Sequence, residues 1–186
     1  MATTKKNSSK SSRLQVRMYR QGLGDCFLIT VPRTGARPFR MLIDCGVVLG
    51  TPDPVPTMTR VVEDIVAATS GEIDVLVVTH EHWDHVSGFV QVSDLFFHQL
   101  RIHNVWLAWT EDPKDKLAAK LRSERRTAEK ALRMAVQHLA LFGASEAASR
   151  VDSLVGFFGA RTGTTETALD NVKKLGHGNT RYCQPG

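Results

Sequence analysis

Within six residues, His80, His82, Asp84 and His85 offer four side chains of the kinds that hold divalent metal ions. Residues two apart in an extended segment point the same way, so His80 and His82 can converge on one ion. A chain reversal after His82 lets Asp84 and His85 aim at a second position, and two-metal hydrolytic sites need ions only about 3.5–4 Å apart. Imidazole and carboxylate donors, with no thiolate required, favour zinc and leave iron or manganese as alternatives. The bland reading is a polar turn that caps a helix, with Asp84 as the cap. Four potential ligands within six residues behind a strand favour the metal.

The elements around this cluster are legible from period and punctuation. Ile73–Thr79, with Val75, Leu76, Val77 and Val78, predicts a buried strand that stops at the cluster. A helix is predicted from about Ser87 to Leu100 and a strand over Val105–Trp109. Upstream, Leu14–Tyr19 alternates apolar and polar residues as a strand with one buried face does. Cys26–Val31 reads as a strand buried on both faces, and Phe39–Asp44 as a third strand of an antiparallel meander. Gly50–Pro56, with three prolines, predicts irregular chain, and Met58–Ala68 a helix whose apolar stripe is Met58, Val61, Val62, Ile65 and Val66.

Beyond Thr110 the pattern becomes helical. Asp112-Pro113 with Asp115 opens a long amphipathic helix with Leu117, Leu121, Ala128, Leu132, Val136 and Leu139 on one stripe, and Gly143 closes it. Two shorter helical patterns follow, one through Val151, Leu154, Val155 and Phe158 up to Gly159, the other through Ala168, Val172 and Leu175 up to Gly176. Between Lys114 and Arg133 there are eight basic and three acidic residues, which could attract an anionic substrate. Lys120/Glu124, Arg125/Glu129 and Glu129/Arg133 are spaced four apart, as on a solvated helix face, and that reading is the stronger.

His80-Glu81-His82-Trp83-Asp84-His85 behind a strand ending in Thr79 resembles the His-x-His-x-Asp-His signature of the metallo-β-lactamase fold. Leu42-Ile43-Asp44-Cys45-Gly46 resembles that superfamily's early strand and Asp-x-Gly turn. Gly22-Leu23-Gly24-Asp25-Cys26 resembles its opening Gly-x-Gly-Asp strand, especially in hydrolase domains of competence-type DNA-uptake proteins. The resemblance covers about Leu14 to Trp109. It implies an α/β (α+β) chain of αββα sandwich type, and a hydrolase acting on lactams, thioesters, phosphodiesters or related bonds through two metal ions. Mapped onto this chain, it implies His80 and His82 on a first metal and Asp84 and His85 on a second. Asp84 would also orient and deprotonate the attacking water, with Asp44 supporting the ligands from behind.

A complete domain of this kind has two similar halves, the later one supplying further ligands. After Trp109 only His138 and His177 remain. His138, beside Leu139 in the long helix, reads as a surface or packing residue. His177, in Gly176-His177-Gly178-Asn179, is a further candidate ligand, although glycine-rich loops behind helices are usually caps. The expected organisation is therefore a basic disordered tail over 1–12, the first half of the sandwich over 13–109, a helical insertion over 110–176, and the start of an interrupted strand over 177–186. Such a half-sandwich leaves apolar sheet that self-association or a missing carboxy-terminal half would cover.

Composition agrees with a globular chain: 42% of the 186 residues are hydrophobic and 23% charged, so disordered and fibrous classes are excluded. No window approaches the ~18–20 apolar residues of a spanning helix, so no membrane partner is expected. Cys26, Cys45 and Cys183 are odd in number and lack Cys-x-x-Cys spacing, which suits a reducing, cytoplasmic location. The formal charge of +5 is concentrated in the first twenty residues, which hold six basic side chains and no acid. That tail could draw nucleic acid, though solubility is the simpler account. A small molecule or a phosphodiester is the expected substrate. The competing class is a non-catalytic binding or assembly fragment with an incomplete metal site, and a third reading, from the Gly-x-Gly-Asp resemblance and the basic tail and helix, is a nuclease or DNA-uptake-type hydrolase.

Overall fold

The computed structural model describes residues 13–157 and 164–184. The tail over 1–12 and the Phe158–Gly159 end of the first of the two shorter helical patterns lie outside these. Three strands, β1 (Gln15–Met18), β2 (Phe27–Val31) and β3 (Phe39–Ile43), pair antiparallel as the expected meander. The chain then crosses through α1 (Pro54–Thr69) to β5 (Val75–Val78), and later to β7 (Val105–Ala108) and β8 (Thr180–Cys183). These last three strands run parallel to β3, and the sheet order is β1-β2-β3-β5-β7-β8. Two further short strands, β4 (Glu72–Ile73) and β6 (Arg101–Ile102), form a separate parallel pair. The predicted run Ile73–Thr79 is thus split at Asp74, whose carboxylate accepts bonds from Arg37 and from the Arg40 backbone.

Two sequence expectations change for reasons of backbone chemistry. Pro54 and Pro56 do not break the chain but begin α1, because the first turn of a helix has no use for the N–H that proline lacks. The single helix expected over Ser87–Leu100 is two short ones, α3 (Gly88–Gln91) and α4 (Ser93–Gln99), and a further short helix, α2 (Trp83–Val86), precedes them. The break at Val92, with φ −133°, lets Phe89 and Phe96 turn inward and meet with ring centroids 4.7 Å apart.

One face of the sheet makes the core. Leu28, Leu42, Leu76, Val105 and Leu107 bury against Met58, Val62 and Ile65 of α1, Phe89 of α3 and Phe96 of α4. They are joined by Ala168, Leu169, Val172 and Leu175 of α7 (Thr164–Leu175). The expected insertion over 110–176 is therefore not one unit: α7 belongs to the helical layer of the core. What stands apart is α5 (Lys116–Leu141), capped by the Asp115 carboxylate on the Ala118 N–H, packed against α6 (Ser145–Phe157). Its expected apolar stripe is largely exposed, with Leu121 at 41% and Leu132 at 47%, so α5 does not bury a full face.

The opposite sheet face carries Val16, Met18, Phe27, Ile29, Val31, Phe39, Met41, Ile43, Val77 and Trp106, none of them fully buried, along with Val75, which is buried. The expected buried face of β1 is thus open, with Val16 60% and Met18 64% exposed, and β2 is buried on one face rather than two.

Candidate metal centre

Three sequence-distant turns meet at the carboxy-terminal ends of β3 and β5, the end at which parallel α/β sheets bind ligands. The first turn, Gly22–Asp25, precedes β2; the second, Asp44–Gly46, follows β3; the third, Thr79–His85, follows β5. Backbone bonds join them: the Asp25 N–H donates to Asp84 O at 3.2 Å, Cys45 N–H to His85 O at 2.8 Å and Gly46 N–H to Asp25 O at 3.2 Å. Glycine is required where these strands of chain touch. A Cβ at Gly24 would stand 2.4 Å from Gly46 O, and one at Gly46 would stand 2.6 Å from Asp84 O.

The strand end lifts the histidines out of the core together. His80 and His82 rings lie with centroids 4.5 Å apart, and His80 and His85 rings 3.8 Å apart. His82 is the extended residue from which α2 starts, so the chain reverses there, placing Asp84 and His85 in the first turn. Asp84 Oδ2 is 3.6 Å from His85 Nε2. That is too long for a strong hydrogen bond and close to the separation of two ligands sharing an ion with bonds near 2 Å.

Asp44 organises the cluster from below. It is 2% exposed and sits at φ 53°, a left-handed conformation tolerated by aspartate. Oδ1 accepts the Thr79 N–H at 2.8 Å, and Oδ2 accepts the Thr79 hydroxyl at 2.6 Å. His85 Nδ1 lies 2.9 Å from the same Oδ2, and His80 Nδ1 lies 3.0 Å from Thr79 Oγ1. Since the Thr79 proton goes to Asp44, the Thr79 oxygen accepts from His80 Nδ1–H, and His85 Nδ1–H donates to Asp44. The network therefore assigns both tautomers and leaves both Nε2 lone pairs available to a metal, the arrangement that supporting carboxylates give to metal-bound histidines. Burial, then the neighbouring His85 and His82, push the His80 imidazole below its ordinary value, which favours the neutral, ligating form.

Thr79 and Asp25 were not identified as site residues from sequence. Asp25 Oδ2 lies 3.6 Å from His85 Nδ1, and Asp25, Asp44 and His85 each bring a ligand atom within 4.8 Å of the others. This is a group able to hold a metal ion. His85 thus has Asp44 and Asp25 on one ring edge and Asp84 on the other. The sequence signal for Asp25 was its place in the Gly-x-Gly-Asp turn; nothing local marks Thr79 beyond its position at the strand end. The donor set, imidazole and carboxylate at a polar strand end, fits a divalent transition ion.

The remaining candidates lie elsewhere. His177 is exposed, in the turn before β8. Because β8 runs parallel to β7, pairing Thr180 with Val105 and Cys183 with Ala108, that turn is at the opposite end of the sheet, a strand's length from the cluster. The structure does not bring His177 to His80, His82 or His85. His138 packs its ring against Phe142 at the surface end of α5. Glu81, inside the cluster, is paired by the Arg125 guanidinium, so α5 reaches the rim of the site.

Residues 20–170 match the family model described as the metallo-beta-lactamase superfamily, most of the chain. No curated protein matches. No solved structure matches.

Proposed function

We propose that this chain, which belongs to the metallo-β-lactamase superfamily, is a hydrolase that uses two zinc ions to cleave an ester, thioester, lactam or phosphodiester bond. Membership supports a metal-dependent hydrolase in general. The observation that carries the finer reading is the convergence of three imidazoles and two flanking carboxylates at one sheet end, with both assigned Nε2 lone pairs uncommitted. His80 and His82 would hold one ion, and Asp84 and His85 Nε2 the second, while Asp25 lies along the other, Nδ1 edge of His85. When bound, such ions acidify water towards pKa ~7 and polarise the scissile group. The chain's own residues supply the rest: Asp44 and Thr79 fix the tautomers and ring orientations, while the Asp84 carboxylate can accept and shuttle the proton of the attacking water.

The experiment is zinc titration of chelator-stripped protein, with a generic thioester and a generic phosphodiester as reporters. Two ions per chain and turnover abolished by chelator are expected. Asp84→Ala should keep the fold, since Asp84 lies in a turn, yet lose one ion and turnover; retained turnover sinks the assignment. Asp25→Ala separates the two edges of His85: if it, rather than Asp84→Ala, removes an ion, the ion sits with Asp25 and Asp44.

A second reading is favoured by the open apolar sheet face: a non-catalytic binding or assembly module. We assign to that face a second copy of the chain or a further carboxy-terminal segment. Concentration-dependent sedimentation without tight zinc or turnover would favour this reading over the first. No helix among the described residues is long and apolar enough to cross a membrane. Cys26, Cys45 and Cys183 are all free thiols, which supports a reducing, cytoplasmic setting.

A further inference from the structure

Arg122, Arg125 and Arg126, near the start of α5, are each committed to a different part of the molecule. Arg122 donates to Thr110 O and, at 3.1 Å, to Asp112 O, in the turn behind β7. Arg126 pairs with Glu166 of α7 at 2.6 Å. Together with the Asp115 cap, these contacts fix the beginning of α5 to the sheet end and to the helical layer of the core. Arg125 reaches elsewhere. Both of its Nη atoms meet the Glu81 carboxylate, Nη2 with Oε2 at 2.8 Å and Nη1 with Oε1, and its Nε lies 3.4 Å from Glu129 Oε1. A two-pronged guanidinium–carboxylate pair has a defined direction that a single surface contact lacks.

Glu81 stands between two candidate ligands. In extended chain, neighbouring side chains point to opposite sides, so with His80 and His82 turned to an ion Glu81 faces outward onto α5. Among the described residues, no loop or turn main-chain bond reaches the N–H or C=O of His80 or Glu81. By contrast, Cys45 N–H holds His85 O at 2.8 Å and Asp25 N–H holds Asp84 O at 3.2 Å. The Asp84–His85 half of the cluster is therefore stitched through its backbone, and the His80–Glu81 half is gripped through side chains, His80 by Thr79 and Glu81 by Arg125. We propose that Arg125 is a positioning residue of the metal centre: by clasping Glu81 from a fixed helix, it sets the peptide run from which the His80 and His82 imidazoles reach one ion. The inference rests on the metal-dependent reading of the cluster. It also gives these three cations, counted in the sequence among those that could attract an anionic substrate, a structural task instead.

The test is titration of the chelator-stripped full chain with cobalt(II), followed by calorimetry and by the visible absorption that reports the geometry around the ion. Arg125→Ala should weaken one uptake step about 10–100-fold and alter its cobalt spectrum, leaving any other step as in the parent. Arg125→Lys, which keeps the charge and loses the fork, should fall between the two. Arg126→Ala removes an equal side chain one residue on and should change neither affinity nor spectrum. In a double-mutant cycle, the effect of Arg125→Ala should vanish once Glu81 is alanine. If Arg125→Ala does not fold, Glu81→Gln, which removes the charge and keeps the shape, carries the same expectation. Unchanged affinity and spectrum, equal losses in Arg125→Ala and Arg126→Ala, or additive losses in the cycle would overturn the proposal. A parent chain that takes up no cobalt overturns the metal reading and this inference with it, whereas a parent that binds cobalt no better than Arg125→Ala does overturns this inference alone.

Discussion

Asp44 shows how much one buried carboxylate can determine. It is the common acceptor for the Thr79 N–H, the Thr79 hydroxyl and His85 Nδ1–H, so it sets His85 directly and His80 through one hydroxyl. Asp44→Asn keeps the shape but turns one acceptor into a donor, opposing a donor already present. We expect a loss of about 2 kcal/mol in chemical denaturation and a fall of 10–100-fold in zinc affinity. A variant as stable as the parent, with unchanged affinity, would show that the histidines orient themselves. Asp64 gives a separate signal in the pH dependence of stability. The Tyr19 hydroxyl, and then the Arg17 guanidinium, hold its carboxyl below the usual carboxylate range. A depressed pKa means stability that is fully present above the unfolded value of about 3.9 and is lost below it, as pH falls through the still lower folded value. The gap in melting temperature between the parent and Asp64→Asn should therefore be largest near neutrality and close on acidification. A gap that is constant with pH would remove the charge from the explanation.

At the scale of elements, the site is made by three turns stitched to one another through main-chain bonds, and glycine permits the approach. Gly46→Ala would press a methyl into the Asp84 carbonyl at 2.6 Å, against backbone that cannot swing aside as a side chain would. We expect a destabilisation of about 1–3 kcal/mol accompanied by lost metal binding, because Asp84 and His85 share the displaced peptide. Preserved zinc stoichiometry in a folded Gly46→Ala protein would show that the turn has slack. The helices divide by role. α7, with Ala168, Leu169, Val172 and Leu175 buried, holds the helical layer over the sheet, whereas α5 touches the site through Arg125 and Glu81 and leaves most of its leucines exposed. Periodicity alone does not separate these two, since both show an apolar stripe.

For the whole molecule, the strands β3 and β5 that lead into the Asp44 and His80–His85 turns are separated by a crossover, so a bound ion would cross-link parts of the chain far apart in sequence. Ligand bound only by the folded state stabilises by RT ln(1 + [L]/Kd), about 2.7 kcal/mol at a hundredfold excess over Kd. Zinc should raise the melting temperature and a chelator should reverse the gain; indifference to both would argue that the cluster holds no ion. The amino-acid sequence by itself determined the cluster, its place behind a buried strand, the meander and the superfamily, because ligand types at fixed local spacing and period-two runs are short-range signals. Asp25 became part of the site only through the Asp25 N–H to Asp84 O contact, and Thr79 only through Asp44, partners tens of residues away. His177 was set apart by the parallel direction of β8, and the openness of β1's apolar face by which elements pack over it. Contacts between distant residues, strand direction and coverage are properties of chain return, and chain return is decided by tertiary packing rather than by any local pattern.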